Sequence, residues 1–139
     1  MRLFDVFTRG VITAASEETL ARVAGKMQEH NVGTVVVVAE QRPVGILTDR
    51  DLALALGARG VAPQAPAREV MTPHVPAIPE DTSVFTATKY VRECQVRRLP
   101  VVDSEDRVVG LVSLDDLLRL LAKELHNLAE GITREMEVN

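Results

Sequence analysis

The sequence predicts a mixed α/β fold made of two similar halves related by a pseudo-twofold axis. Three observations carry this expectation. Residues 4–60 align with residues 68–125 at an offset of 64, which becomes 65 after one extra residue in the loop around Glu105. The stretch Gly45-Ile46-Leu47-Thr48-Asp49-Arg50-Asp51 returns as Gly110-Leu111-Val112-Ser113-Leu114-Asp115-Asp116. The apolar runs inside each half are short and nearly continuous, as in strands buried on both faces. Each half has ~55 residues, too few to bury a good core alone, so the two are expected to pack on each other.

Each half repeats one order of elements: strand, helix, strand, strand, helix. A short extended piece comes first, Val11 to Ala14 and then Val75 to Ile78. Polar clusters follow, Ser16-Glu17-Glu18-Thr19 and Glu80-Asp81-Thr82-Ser83, which suit the start of a helix. The first helix carries Leu20, Val23, Ala24 and Met27 on one face, and its counterpart carries Val84, Ala87 and Val91. Gly33 to Ala39 and Arg98 to Asp103 read as the next strands. Polar turns, Glu40 to Pro43 and Ser104 to Arg107, lead to the last strand of each half. Gly57 to Ala67 carries two prolines and two glycines and connects the halves. The expected boundaries are 4–60, a linker at 61–67, 68–125, and a helical extension at 126–139.

The last helix has no breaker until Gly131, and Leu114, Leu118, Leu121, Leu125, Leu128 and Ile132 follow a 4-3 rhythm. That face either covers the protein's own core or forms a helix–helix seam.

Composition narrows the function. A hydrophobic share of 46% can build a core, and with 3% aromatics that core must be Val, Leu, Ile and Ala. The net charge of −4 argues against nucleic acid, which wants a basic face. Absence of Trp argues against base-stacking platforms. The longest apolar run, Val35 to Ala39, is far short of the ~20 residues of a membrane span. Asp5 interrupts any secretory apolar core, and Cys94 is the only cysteine. A soluble cytoplasmic protein is expected. His30, His74 and His126 lack metal-ligand spacing.

The repeated stretch turns a strand into a helix, and that corner gathers useful groups. A Gly lets a ligand or another backbone come close. A hydroxyl, Thr48 or Ser113, sits at the helix start, where free N–H groups attract anions. A carboxylate one turn on, Asp51 or Asp116, can accept two hydrogen bonds from a diol such as a ribose. The plain alternative is an N-cap with a first-turn acid. No nucleophile–base pairing with a supporting motif, glycine-rich phosphate loop or metal cluster stands out, so no catalytic residue and no catalytic cofactor are expected.

The repeat order, the two Gly-to-Asp stretches, Val70-Met71-Thr72-Pro73 and Arg98-Leu99-Pro100-Val101-Val102-Asp103 together resemble a tandem pair of cystathionine β-synthase (CBS) domains, a standalone Bateman module. The resemblance covers residues 4–125. It implies binding of an adenosine compound: AMP, ADP or ATP, in some members S-adenosylmethionine or NAD, while some pairs bind nothing known. It implies that Asp51 and Asp116 bind ribose hydroxyls, with Thr48 and Ser113 at ribose or phosphate. Each adenine would lie on the opening strand of the opposite half. Asp116 would therefore work with Thr13, Ala14 and Ser16, and Asp51 with Ala77, Ile78 and Glu80. Arg97 and Arg98 would hold phosphate at the Asp116 site. The first half has Gly33 and Thr34 in their place, with Arg50 as a possible substitute. The expected function is an energy-sensing regulatory homodimer acting on a protein partner the sequence does not name, and not an enzyme. The rivals are an interaction module without nucleotide and a nucleotide-processing enzyme.

Overall fold

The computed structural model describes residues 8–138; the repeat members Asp5, Val6 and Phe7 lie outside the described residues. The first half runs β1 (Thr8–Arg9), β2 (Thr13–Ala15), α1 (Leu20–His30), β3 (Thr34–Ala39), β4 (Arg42–Thr48) and α2 (Asp49–Ala53). The second repeats it as β5 (Thr72–Pro73), β6 (Ile78–Pro79), α3 (Val84–Cys94), β7 (Arg98–Val102), β8 (Val108–Ser113) and α4 (Leu114–Val138). The last turns after α2 widen, with the Arg59 N–H donating to Leu54 O at 3.0 Å.

The four strands of one sheet lie in the order β2-β3-β4-β5 and those of the other in the order β1-β8-β7-β6. Each half therefore lends its opening strand to the other's sheet. Thr8 and Arg9 pair with Leu111 and Gly110; Thr72 and Pro73 pair with Ile46 and Gly45. This corrects the expectation of one opening strand per half. The extended segment breaks into two pieces around Gly10 (φ 70°) and its repeat mate His74 (φ 57°). A left-handed residue there turns the chain from one sheet into the other. It also explains Gly45. A Cβ at that position would sit 2.6 Å from Met71 Sδ and 2.8 Å from Thr72 O. The close approach is the visiting strand and not a ligand.

Each half has its own core. Leu20, Val23, Met27, Val35, Val37 and Leu47 belong to the first; Ile78, Val84, Leu99, Val101, Val112 and Leu117 to the second. Alternation puts Val36 on the far face of β3, yet it is fully buried, and its cross-strand partner Ile46 nearly so. Ile46 lines a cavity with Val96 and Arg98 of the other half, so the second half covers that face. The hairpin ends also meet, with the Val108 N–H donating to Gln41 O at 3.0 Å. The dyad-related bond cannot form, because Pro43 has no N–H.

The polar clusters act as caps. Thr19 Oγ1 accepts from the Arg22 N–H at 3.2 Å, and Ser83 Oγ accepts from the Thr86 N–H at 3.1 Å. The linker is fastened to this same end of α1. The Leu20 and Ala21 N–H groups donate to Ala65 O and Pro63 O, each at 3.0 Å. Those are first-turn donors with no partner inside the helix.

Candidate ligand site between the halves

Both strand-to-helix corners close as reciprocal caps. Thr48 Oγ1 accepts from the Asp51 N–H at 3.1 Å, while the Thr48 N–H donates to Asp51 Oδ2 at 2.9 Å. Ser113 Oγ accepts from the Asp116 N–H at 3.0 Å, while the Ser113 N–H donates to Asp116 Oδ2 at 3.1 Å. The capping role is therefore real, and it leaves chemistry over. Each hydroxyl still has its O–H to donate, and each carboxylate keeps Oδ1. Asp116 Oδ1 lies 3.7 Å from Arg119, beyond a hydrogen bond. The corner is anchored from below by the Leu114 N–H, which donates to Arg97 O at 2.7 Å; the Asp49 N–H makes the matching bond to Gly33 O at 3.0 Å.

Among the described residues two unequal cavities lie at the join. The larger, ≈ 310 Å³, is lined by Ser113, Asp115, Asp116, Leu111 and Arg98 from the second half and by Gly10, Val11, Ile12, Val32, Gly33 and Thr34 from the first. That size falls at the lower end of small-molecule sites, roughly 300–1,000 Å³. The smaller, ≈ 150 Å³, is its pseudo-symmetric mate, lined by Ile46, Thr48, Thr72, Val75, Val96, Arg97 and Arg98. Each cavity joins the corner of one half to the strand start of the other.

The cavity linings differ from several placements expected from the sequence. Arg97 lines the Thr48 cavity and not the Asp116 cavity. Arg98 lines both, because it pairs across the strands with Ser113 and sits near the dyad beside its mate Thr34. Gly33 and Thr34 stand in the Asp116 cavity, so the missing cations of the first half are missing from that site. Thr13, Ala14 and Ser16 are not in the lining. By that point β2 has returned to its own sheet, and Ala14 is buried in the first core. Ala77, Ile78 and Glu80 are likewise absent from the Thr48 cavity. Ile78 is buried in the second core, and the Glu80 N–H donates to Val102 O. The residues that face across are earlier ones, Gly10 to Ile12 and Thr72 with Val75. Arg50 is exposed, and neither it nor Asp51 is in the lining of either cavity.

The charge of the two sites differs in kind. Among the described residues the Asp116 cavity is lined by one cation and two carboxylates, and the Thr48 cavity by two cations and no acid. Among the described residues no group of three or more His, Cys, Asp or Glu could hold a metal ion, and no helix is long and apolar enough to cross a membrane.

Comparison with known proteins gives the same fold. The chain is 38% identical over 118 residues to the uncharacterized protein MK0525 of Methanopyrus kandleri, a match that covers 84% of this chain and 60% of that protein. It is 38% identical over 113 residues to the CBS domain-containing protein YhcV of Bacillus subtilis, covering 81% of this chain and 80% of that protein. The CBS domain pair of protein MJ0100, crystallised with 5′-methylthioadenosine and S-adenosyl-L-methionine, superposes with a TM-score of 0.76 at 30% identity, over 89% of this chain and 98% of that one. The CBS domain model itself matches twice, at residues 3–58 and 67–123. With two copies of the domain, two exchanged sheets and a repeated corner, this chain belongs to the CBS-domain family as a tandem pair.

Proposed function

We propose that this chain is a regulatory module that binds one adenosine compound, in the Asp116 cavity. One observation carries the reading: a ≈ 310 Å³ space between the halves that has the repeated hydroxyl and carboxylate in its wall. Asp116 Oδ1 accepts the ribose diol, and Ser113 donates to ribose or phosphate. Val11, Ile12 and Leu111 give the base an apolar seat. On this reading the site senses its ligand. The compound's arrival at the join changes how the halves sit, and a protein partner reads that change.

Arg98 is the cation for a phosphate among the described residues, and Asp115 stands on the same rim. A monophosphate therefore suits the cavity better than a triphosphate, whose extra charge meets that carboxylate. A second reading has its own support. The two carboxylates also fit a cationic adenosyl sulfonium, and the MJ0100 pair was crystallised with S-adenosyl-L-methionine.

Titration calorimetry with AMP, ATP, 5′-methylthioadenosine and S-adenosylmethionine tests both. Binding of AMP above ATP is expected, weakened by Asp116→Asn and unchanged by Asp51→Asn. Asparagine still accepts the capping bond, so the corner is kept. At a hundredfold excess over its Kd the ligand adds ~2.7 kcal/mol, a melting shift of several degrees. Tighter binding of the two sulfur compounds would favour the second reading. Silence from all four would leave an interaction module without nucleotide.

A further inference from the structure

The Thr48 cavity differs in chemistry from its mate. At ≈ 150 Å³ it has about half the volume of the Asp116 cavity. It falls well under the roughly 300 Å³ at which small-molecule sites begin, so it is sized for a fragment and not for a nucleoside. Its polar wall is made of donors. Arg97 and Arg98 bring two guanidinium groups, and the hydroxyls of Thr48 and Thr72 stand with them. Thr48 Oγ1 accepts from the Asp51 N–H and keeps its O–H to donate. Among the described residues the lining has no carboxylate, and neither arginine makes an ion pair. Two cations side by side without a counter-charge repel each other, and an anion between them removes that cost. Ile46, Val75 and Val96 complete the wall, and apolar walls strengthen the attraction an ion feels. Both arginines are exposed, so an ion reaches them from water. The fork of a guanidinium matches two oxygens of a tetrahedral oxyanion.

We propose that the Thr48 cavity takes one small tetrahedral oxyanion of the phosphate class, and that this anion opposes a phosphate-bearing ligand in the Asp116 cavity. Arg98 makes the link, because it lines both cavities. It stands at the start of β7, opposite Ser113 on β8. A guanidinium turned to the anion is withdrawn from the phosphate of the other ligand. Linkage makes the opposition equal in both directions. An adenosine compound without a phosphate escapes it. The oxyanion site stands on the Thr48 cavity alone, whereas the antagonism rests on the nucleotide reading of the Asp116 cavity.

The first arm of the test titrates inorganic phosphate alone into the full chain, with chloride at matched ionic strength as the blank. Nitrogen–proton NMR reads the amides of Thr48 and Thr72 and the Nε–H groups of Arg97 and Arg98. Saturable movement of these signals is expected, and its loss in Arg97→Ala. Arg97 is exposed and belongs to neither core, so that variant keeps the fold. No saturable movement up to tens of millimolar overturns the site, and so does movement that survives Arg97→Ala. The second arm titrates AMP and 5′-methylthioadenosine with and without saturating phosphate. Phosphate should weaken AMP about tenfold, the worth of one hydrogen bond to a charged group, and leave 5′-methylthioadenosine unchanged. In Arg97→Ala phosphate should no longer weaken AMP. Weakening that persists there means plain competition for the Asp116 cavity and overturns the proposal. Were the anion the far phosphate of ATP reaching across from the Asp116 cavity, ATP would lose affinity in Arg97→Ala while free phosphate gave no signal; that too overturns it. If neither adenosine compound binds, the nucleotide reading falls and the antagonism with it, while the first arm still decides the oxyanion site.

Discussion

Across the cavity from the corner of the second half stand Gly33 and Thr34; across from the corner of the first stand Arg97 and Arg98. The two halves fold alike, strand for strand and cap for cap, yet the spaces they frame differ twofold in volume and are opposite in charge balance. The cause is a pair of positions at one strand start. Small residues leave room at the Asp116 corner, and two arginines occupy the matching room at the Thr48 corner. The lesson concerns address as much as chemistry. In an exchanged pair, a residue's sequence neighbours belong to one site while its side chain serves the other. A change in one half is therefore read at the opposite motif, and Arg98, close to the dyad, is read at both.

The largest expected effect breaks this comparison at its shared residue. Arg98→Ala should weaken AMP binding tenfold or more, since a hydrogen bond to a charged group contributes about 1.5–3 kcal/mol. Arg97→Ala should leave AMP affinity within about threefold, under 1 kcal/mol. Calorimetry on the two variants checks it; equal losses would mean that Arg97 also reaches the ligand. The next effect probes the exchange itself. Gly45→Ala drives a methyl into Met71 and the backbone of Thr72. Displacing the visiting strand should cost about 1–3 kcal/mol by denaturant unfolding. Gly25→Ala makes the contrasting control, because its Cβ meets nothing within 4 Å in mid-helix, and it should stabilise by roughly 0.5–1 kcal/mol.

The smallest effect is an ion pair that only the first half has. Lys26 Nζ donates to Glu18 Oε1 at 2.9 Å and to Thr13 O at 3.0 Å, tying β2 to α1. The repeat mates are Thr82 and Tyr90. Burial pushes the Glu18 carboxyl up, but the Lys26 hydrogen bond, the Ala15 N–H and the charges of Lys26 and Arg22 outweigh it, and the group is held below its usual range. A carboxyl lowered on folding stabilises above its unfolded pKa and loses that contribution as pH falls through the folded one. Glu18→Gln should thus be slightly less stable than the parent at neutral pH. The gap should close in acid, below the ordinary carboxylate range. Parallel melting curves across pH would refute it.

Much of this was legible in the residues. The offset of 64, the two Gly-to-Asp corners and the capping clusters each repeat, and periodicity marks Val35 to Ala39 and Leu20 to Met27 as strand and helix. The exchanged strands were not legible. A two-residue strand such as Thr72–Pro73 has no period to detect, and its partner is chosen by tertiary packing. The cavity walls were not legible for a related reason. The resemblance placed Thr13 to Ser16 at the Asp116 site, whereas β2 takes Thr13 to Ala15 into the first sheet beside Val36 to Val38. The assignment of Arg97 needed the dyad, which no linear pattern contains. The leucine rhythm was visible from the start; what it could not tell was where the body of the protein stops, at about residue 121.

The exchange has a consequence for how the chain is assembled as it is made. Thr8 is among the first residues in either sheet to emerge, and its partner Leu111 is among the last. The first sheet can be completed once Thr72 and Pro73 exist, but the second waits for a strand laid down about a hundred residues earlier. Neither half can be cut out whole, since each would leave its sheet short of one edge and expose a row of unpaired backbone groups. Folding is thus a clasp that shuts last at its oldest end. Until it shuts, the Asp116 cavity lacks the stretch Gly10 to Ile12 that β1 carries into place.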